Sequence, residues 1–145
     1  MSRVMLIAAD KPLPLCDKQE ERSVVSRFEG EEYRFTCRSG FCVREHTYYR
    51  PAVDDLGYEI KPFQYELDLE KHETDLKNLL DYLREHFIHG ETVELWSLWV
   101  GGDREEQPVR YRGALSDFDL DTLEQFLTFY IKDNKLSQCC MTITI

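Results

Sequence analysis

The sequence predicts an α+β protein that contains a ferredoxin-like unit, in which two helices cover one face of a four-stranded antiparallel sheet. Segments with alternating apolar and polar residues, typical of strands, enclose two segments with the three-to-four-residue spacing of a helix. Their order over residues 61–145 is β-α-β-β-α-β. Residues 1–60 contain only short strand-like runs, which predicts a β-rich extension before this unit.

The extension begins with an apolar run over residues 4–9, which predicts a short buried strand. Runs over 23–28 and 33–37 flank Glu29-Gly30 and predict a β-hairpin, because the second run alternates apolar residues with Arg34, Thr36 and Arg38. A third run, 41–49, is predicted to pair back across Ser39-Gly40. Residues 50–57 are interpreted as a connecting loop.

The first half of the ferredoxin-like unit combines a strand and a helix. Residues 63–69 alternate strictly between apolar and polar side chains, as a strand with one buried face does. The next leucines, at 76, 79, 80 and 83, are spaced for a helix that starts at the N-cap candidate Thr74 and ends before Gly90.

The second half repeats the arrangement. Residues 93–100 are apolar on both faces, which predicts a strand buried on both sides, and 109–115 predict its return strand. The capping segment 116–119 precedes a helical stripe from Leu120 to Ile131. Residues 139–145 alternate again and predict the last strand, in which Cys139 and Cys140 face opposite sides.

Length and composition predict one domain over residues 1–145, made of the extension 1–60 and the unit 61–145. A chain of 145 residues with 42% hydrophobic content has enough apolar surface for one core. The extension is too short to fold convincingly alone, so we expect it to pack on the sheet of the unit or on its edge.

The charge balance disfavours two classes of partner. The chain carries 28 acidic and 18 basic residues, a net charge of −10, and no run of Lys or Arg. Such a surface repels the phosphates of nucleic acids and of anionic membranes. The odd number of cysteines, five, predicts free thiols in a reducing compartment, which together with the lack of a long apolar segment predicts a cytoplasmic protein.

Four charged residues are the candidate binding residues. Glu66 and Asp68 fall on the outward face of the first predicted strand, and Arg110 and Arg112 fall on that of the third. These strands are neighbours in the usual ferredoxin-like order, so the residues are expected to form pairs across an open sheet face. The pairs are either a solvated charge ladder or a polar binding platform.

Cys37 and Cys42 are the candidate metal ligands. The predicted turn at Ser39-Gly40 places them opposite one another, and thiolates with the nearby His46 are ligands that zinc prefers. On a regular strand, however, His46 lies about 13 Å from Cys42. A reduced cross-strand cysteine pair is therefore the other interpretation.

No motif for a nucleophile, a phosphate loop or a dinucleotide site occurs in the chain. The sequence therefore favours a non-enzymatic binding or interaction module without a cofactor, whose partner is a protein or a small molecule. A thiol or zinc-site protein that uses Cys37 and Cys42 is the competing hypothesis.

The opening segment Ile7-Ala8-Ala9-Asp10-Lys11-Pro12-Leu13-Pro14 and the later Tyr33-x3-Cys37-x-Ser39-Gly40-x-Cys42 carry a resemblance. The chain resembles small uncharacterised bacterial α+β proteins that open with a strand and a proline-rich loop and contain a Gly/Cys-rich turn. The resemblance extends loosely over most of the chain. It implies a fold and no catalytic residue.

Overall fold

A computed structural model describes residues 2–102, 107–132 and 135–145. The helices are α1 (Arg50–Asp54), α2 (Glu73–His86) and α3 (Leu120–Leu127), with a short 3-10 turn at Leu115–Asp117 before α3. The strands are β1 (Ser2–Ala9), β2 (Cys16–Asp17), β3 (Glu20–Phe28), β4 (Glu31–Ser39), β5 (Cys42–Glu45), β6 (Phe63–Asp68), β7 (Thr92–Val100), β8 (Val109–Ala114), β9 (Ile131–Lys132), β10 (Lys135–Leu136) and β11 (Cys139–Thr144). The predicted α+β class is confirmed.

The main sheet has seven strands in the order β2-β5-β6-β1-β7-β11-β8. All neighbours are antiparallel except β11 and β8, which run parallel. The N-terminal strand β1 lies between β6 and β7, at the centre of the sheet. The extension is therefore part of the main sheet and does not merely pack against it.

The predicted ferredoxin-like strand order is wrong. In that fold the third strand of the unit, here β8, lies between the first two; in this protein β1 occupies that place and β8 lies at the edge. The physical reason is the composition of the two candidates. β1 is apolar on both faces and ends in four buried residues, whereas β8 contains Arg110, Arg112 and Gly113, which are exposed at an edge.

Both faces of the sheet are covered. Helices α2 and α3 cover one face, where Leu79 and Phe126 pack in one core cluster with Ile7. The segment that contains α1 covers the other, where Val53 packs with Trp96. The connecting loop predicted at 50–57 thus contains a helix that belongs to the core.

Most of the predicted helices and strands are present, but several begin or end at other residues than the sequence predicts. The N-cap of α2 is His72 and not Thr74, because the His72 Nδ1 atom accepts a hydrogen bond from the Thr74 backbone N–H at 3.1 Å. Helix α3 ends at Leu127, and Ile131 belongs to β9. β7 is buried from both sides as predicted, since its successive residues alternate between the two clusters.

Candidate functional site

The four candidate binding residues do not form one site. Glu66 and Asp68 lie on β6 and both bind Arg44 of the neighbouring β5, with 3.2 Å between Arg44 Nε and Glu66 Oε2. β8 is four strands away from β6 in the sheet, about 19 Å at about 4.8 Å per strand. The predicted pairing of Glu66 and Asp68 with Arg110 and Arg112 is therefore wrong.

On β8, the Arg110 guanidinium lies over the ring of Trp96, 5.4 Å from its centroid, and Arg112 is exposed. The outward face on which these arginines were expected to pair is also partly closed, because the segment around α1 packs on it. The candidate residues therefore belong to two separate groups, one on β6 beside β5 and one on the edge strand β8.

Cys37 and Cys42 also lie apart. The chain does not turn at Ser39-Gly40 but continues from β4 into β5, so that Cys37 is paired with Arg22 and Cys42 with Asp17. Cys37 is exposed and Cys42 is buried. The expected cross-strand cysteine pair is absent, and the described residues contain no group of three or more His, Cys, Asp or Glu that could hold a metal ion.

The thiols are predicted to differ strongly in reactivity. Cys139 and Cys140 face opposite sides of β11, as predicted, but both are buried because both sheet faces are covered. Burial raises the pKa of Cys139 to about 11 and that of Cys140 to about 12, which removes the reactive thiolate at neutral pH. We expect a thiol reagent to label Cys37 first and Cys139 and Cys140 only on unfolding.

Peptide mass spectrometry of the native protein after a timed pulse of iodoacetamide measures this order, and labelling in urea is the control. Equal rates for Cys37 and Cys140 would contradict the two-sided burial of the sheet.

Strands β3 and β4 form an exposed β-hairpin, here called the arm (residues 20–39). The two strands are paired over nine residues each, about 30 Å of length. The two-residue turn between them, Glu29-Gly30, has positive φ at both positions, 51° and 79°, as a type I′ turn requires. Only Arg22 and Ser39, at the base, are partly covered; every other residue of the arm is exposed.

The arm has two different faces. Register places every apolar side chain of the arm except Val25 on one face, which we call the aromatic face: Val24, Phe28, Tyr33, Phe35 and Cys37. Ser26 and Glu31 lie on the same face, as do Glu20, Arg22 and Ser39 at the base. The rings of Tyr33 and Phe35 stack with centroids 6.5 Å apart. The opposite face alternates charges and hydroxyls, with Val25 as its one apolar residue: Glu21, Ser23, Val25, Arg27, Glu32, Arg34, Thr36 and Arg38.

A buried ion pair fixes the base of the arm to the body. Arg22 reaches Asp75 of α2 with both terminal nitrogens, at 2.5 and 3.2 Å, and Asp75 is fully buried. Asp75 also accepts a hydrogen bond from the Glu70 backbone N–H at 2.9 Å. Gly40 is required beside this pair, because its φ is 128° and a Cβ there would lie 3.3 Å from both Arg22 and Asp75.

The sequence predicts the hairpin, but the aromatic face was not identified as an exposed surface. The signal was the alternation of Tyr33, Phe35 and Cys37 with charged residues, which predicts one apolar face. The alternation does not say whether that face is buried or exposed. Only the tertiary structure shows that nothing in the described part of the chain covers it.

Comparisons of the chain with protein families, with curated proteins and with solved structures found no match. The resemblance to small bacterial proteins therefore stays a prediction. Within the described residues, no helix is long and apolar enough to cross a membrane.

Proposed function

We propose that the protein is a non-enzymatic interaction module whose aromatic face binds the same face of a second copy. The exposed aromatic face of the arm is the observation that carries this proposal. A group of exposed apolar side chains on one face of a folded protein marks an interaction surface. An isolated two-stranded hairpin is also only marginally stable in water, so the arm gains order from an added layer.

The size of the aromatic face supports pairing with an equal surface. Phe28, Phe35 and Tyr33 are 65%, 55% and 42% exposed. At about 200 Å² per ring-bearing side chain, these fractions leave about 300 Å² of apolar surface on each arm. Two such faces, with the polar atoms around them, give a total interface of about 1,000 Å². This lies at the lower limit of specific interfaces, so a reversible dimer is expected.

The charge distribution indicates which surface two copies would share. Residues 20–39 contain five acidic and four basic residues, a net charge of −1, so −9 of the total −10 lies outside the arm. Two bodies of equal negative charge repel one another. The arms are the near-neutral surfaces on which two copies meet while their bodies stay about an arm's length apart.

A reducing compartment fits the same proposal. All five cysteines are free, including the exposed Cys37 on the aromatic face. An exposed thiol in an interface stays reduced in the cytoplasm. We therefore retain the cytoplasm as the proposed location.

Two neighbouring valines test the proposal with a matched control. Val24 lies on the aromatic face and Val25 on the opposite face, and they are 47% and 50% exposed. Val24→Asp places a charge in the proposed interface and should weaken dimerisation at least about tenfold, since a desolvated unpaired charge costs more than 1.4 kcal/mol. Val25→Asp has the same effect on strand propensity and should leave the dimer unchanged.

Sedimentation velocity over a concentration series measures both variants beside the wild type. Equal dissociation constants for the two variants would contradict the proposed interface. Loss of dimerisation in Val25→Asp alone would also contradict it, because the copies would then associate through the opposite, charged face.

A further inference from the structure

The edge strand β8 borders a groove on the helix-covered face of the sheet, at the opposite edge from the strands that lead into the arm. The chain leaves β8, forms α3 and returns as β11, so α3 covers this parallel pair of strands. Residues of both β8 and α3 line two cavities, of about 230 and 220 Å³. Both are smaller than the cavities that hold whole small-molecule ligands, at about 300–1,000 Å³, and each suits a single side chain.

The two cavities follow one face of β8. The first is lined by Val109 and Tyr111 with Gln125 of α3, and the second by Tyr111 and Gly113 with Thr122 of α3. The partners of these β8 residues on β11 belong to the core cluster beneath the helices, so all three lie on that face. Since the two cavities share Tyr111, they are offset by about two residues along the strand, the repeat at which side chains recur on one face.

The outer edge of β8 has free backbone hydrogen-bonding groups. Val109 donates its N–H to the Gln138 carbonyl, just before β11, at 2.8 Å. Backbone groups of successive residues point to opposite sides of a strand, so the N–H and C=O groups of Arg110 and Arg112 point away from β11. β8 is the last strand of the sheet, and no other strand within the described residues bonds to these four groups. Another extended chain can therefore bond to them.

The side chains of Arg110 and Arg112 give this edge a positive charge without a counter-ion. Both are exposed, and strand alternation places them on the face opposite the two cavities, where Arg110 lies over the ring of Trp96. Neither forms an ion pair with a carboxylate in the described part of the chain, although the net charge of the protein is −10. Charges of either sign protect an edge strand from aggregation. The sign found here selects an acidic partner.

A second copy of β8 does not fit this edge. An antiparallel pair of two β8 strands centred on Tyr111 places Arg110 opposite Arg112, and a pair centred on Arg112 places that arginine opposite its own copy. Like charges directly opposite one another destabilise a strand pair. The two acidic bodies repel one another as well. A segment with acidic residues at alternate positions has the opposite charge at the same places.

We propose that β8 binds an extended segment of a partner protein in which acidic and small apolar residues alternate. The segment adds a strand to the edge of the seven-stranded sheet. Its backbone bonds to the free groups of Arg110 and Arg112, and two of its carboxylates pair with the two guanidinium groups. The apolar side chains between these carboxylates enter the two cavities. This surface is separate from the aromatic face of the arm, so the inference does not depend on the proposed dimer.

Two-dimensional proton–nitrogen NMR of the full chain tests the inference with the peptide acetyl-Glu-Val-Glu-Val-Glu-Val-amide. The backbone amide signals of Arg110 and Arg112 should shift in a saturable way as the peptide is added to about 1 mM, because both N–H groups gain acceptors. The same two amides should exchange with deuterium more slowly in the complex. The amide signal of Arg34 on the arm should stay unchanged. No saturable shift at Arg110 and Arg112 would overturn the inference.

A peptide of the same composition separates strand addition from charge attraction. In acetyl-Glu-Glu-Glu-Val-Val-Val-amide the acidic and apolar residues no longer alternate, so its side chains cannot match both faces of β8 at once. This peptide should bind at least about tenfold more weakly, since it loses either a charge-assisted hydrogen bond or the filling of a cavity. Equal affinity of the two peptides would contradict the added strand.

Two variants test the two faces of β8. Arg112→Glu reverses one charge and Gly113→Val places a side chain in the second cavity, so each should weaken binding of the alternating peptide about tenfold. Both variants should fold, because Arg112 is exposed and a Cβ at Gly113 would meet no atom within 4 Å. Arg34→Glu, on the opposite face of the arm, changes the net charge by the same amount and should bind as the wild type does. Unchanged affinity in either β8 variant would overturn the proposed mode of binding.

Discussion

A chain reduced to residues 61–145 should aggregate or remain largely unfolded. β1 pairs with β6 over four residues and with β7 over seven, so its removal leaves both neighbours without their central partner. It also removes Ile7 and Leu6, one from each core cluster. The remaining strands would expose two unpaired edges and the apolar surface around them, which favours aggregation. Circular dichroism and thermal unfolding of the purified fragment measure its loss of secondary structure and of cooperative unfolding.

A chain with a shortened arm is the control for this truncation. Arg22 and Cys37 are directly paired, an even number of steps along the ladder from the pair Phe28 and Glu31 that flanks the turn, so both pairs are hydrogen-bonded in the same way. Residues 23–36 can therefore be replaced by Asn-Gly, a dipeptide that forms the same type of turn. This chain keeps β1, Arg22 and the whole main sheet. It should unfold cooperatively, near the wild-type midpoint. A fragment 61–145 that melts like this control would show that the two parts are independent domains.

The variant Arg22→Met should lose about 3–5 kcal/mol of unfolding free energy, the range for removing one partner of a buried ion pair. Asp75 is fully buried, and Arg22 is the only cation within salt-bridge distance of it among the described residues. Without Arg22, the carboxylate keeps the Glu70 N–H bond but loses its counter-ion. Urea denaturation measured by fluorescence gives the difference in free energy.

Two further variants make the result specific. Arg22→Met combined with Asp75→Leu removes both charges and should recover much of the loss, because a buried pair replaced by apolar residues is often neutral. Arg38→Met breaks the exposed pair with Asp17, 3.3 Å apart, and should cost at most about 1 kcal/mol. Equal losses for Arg22→Met and Arg38→Met would mean that the base of the arm is not held by the buried pair.

The local elements of the fold could be predicted because their signals are local. The alternation in β6, the leucine spacing in α2 and the positive-φ turn at Glu29-Gly30 depend on neighbouring residues only. The strand order could not be predicted in this way. The strand order depends on whether β1 or β8 lies between β6 and β7. The sequence shows how apolar each of these two strands is, but not where each one lies in the sheet.

The candidate sites were harder to predict for the same reason. The Gly40 position suits a tight turn, but its φ of 128° here allows the chain to pass close to Arg22 and Asp75. His46 was considered with Cys42 because they are close in sequence. In the structure its neighbour is Gln64, 18 positions later, and this contact appears only when β5 and β6 are paired.

The mass of the protein in solution tests the central claim, that two copies meet through their arms. The chain has a mass of 17.2 kDa. Sedimentation equilibrium of the wild type should give a mass that rises toward twice this value with concentration, while the chain with the shortened arm stays at the mass of one copy. A wild type that remains monomeric at the highest concentration, or a shortened chain that dimerises equally well, would contradict the claim.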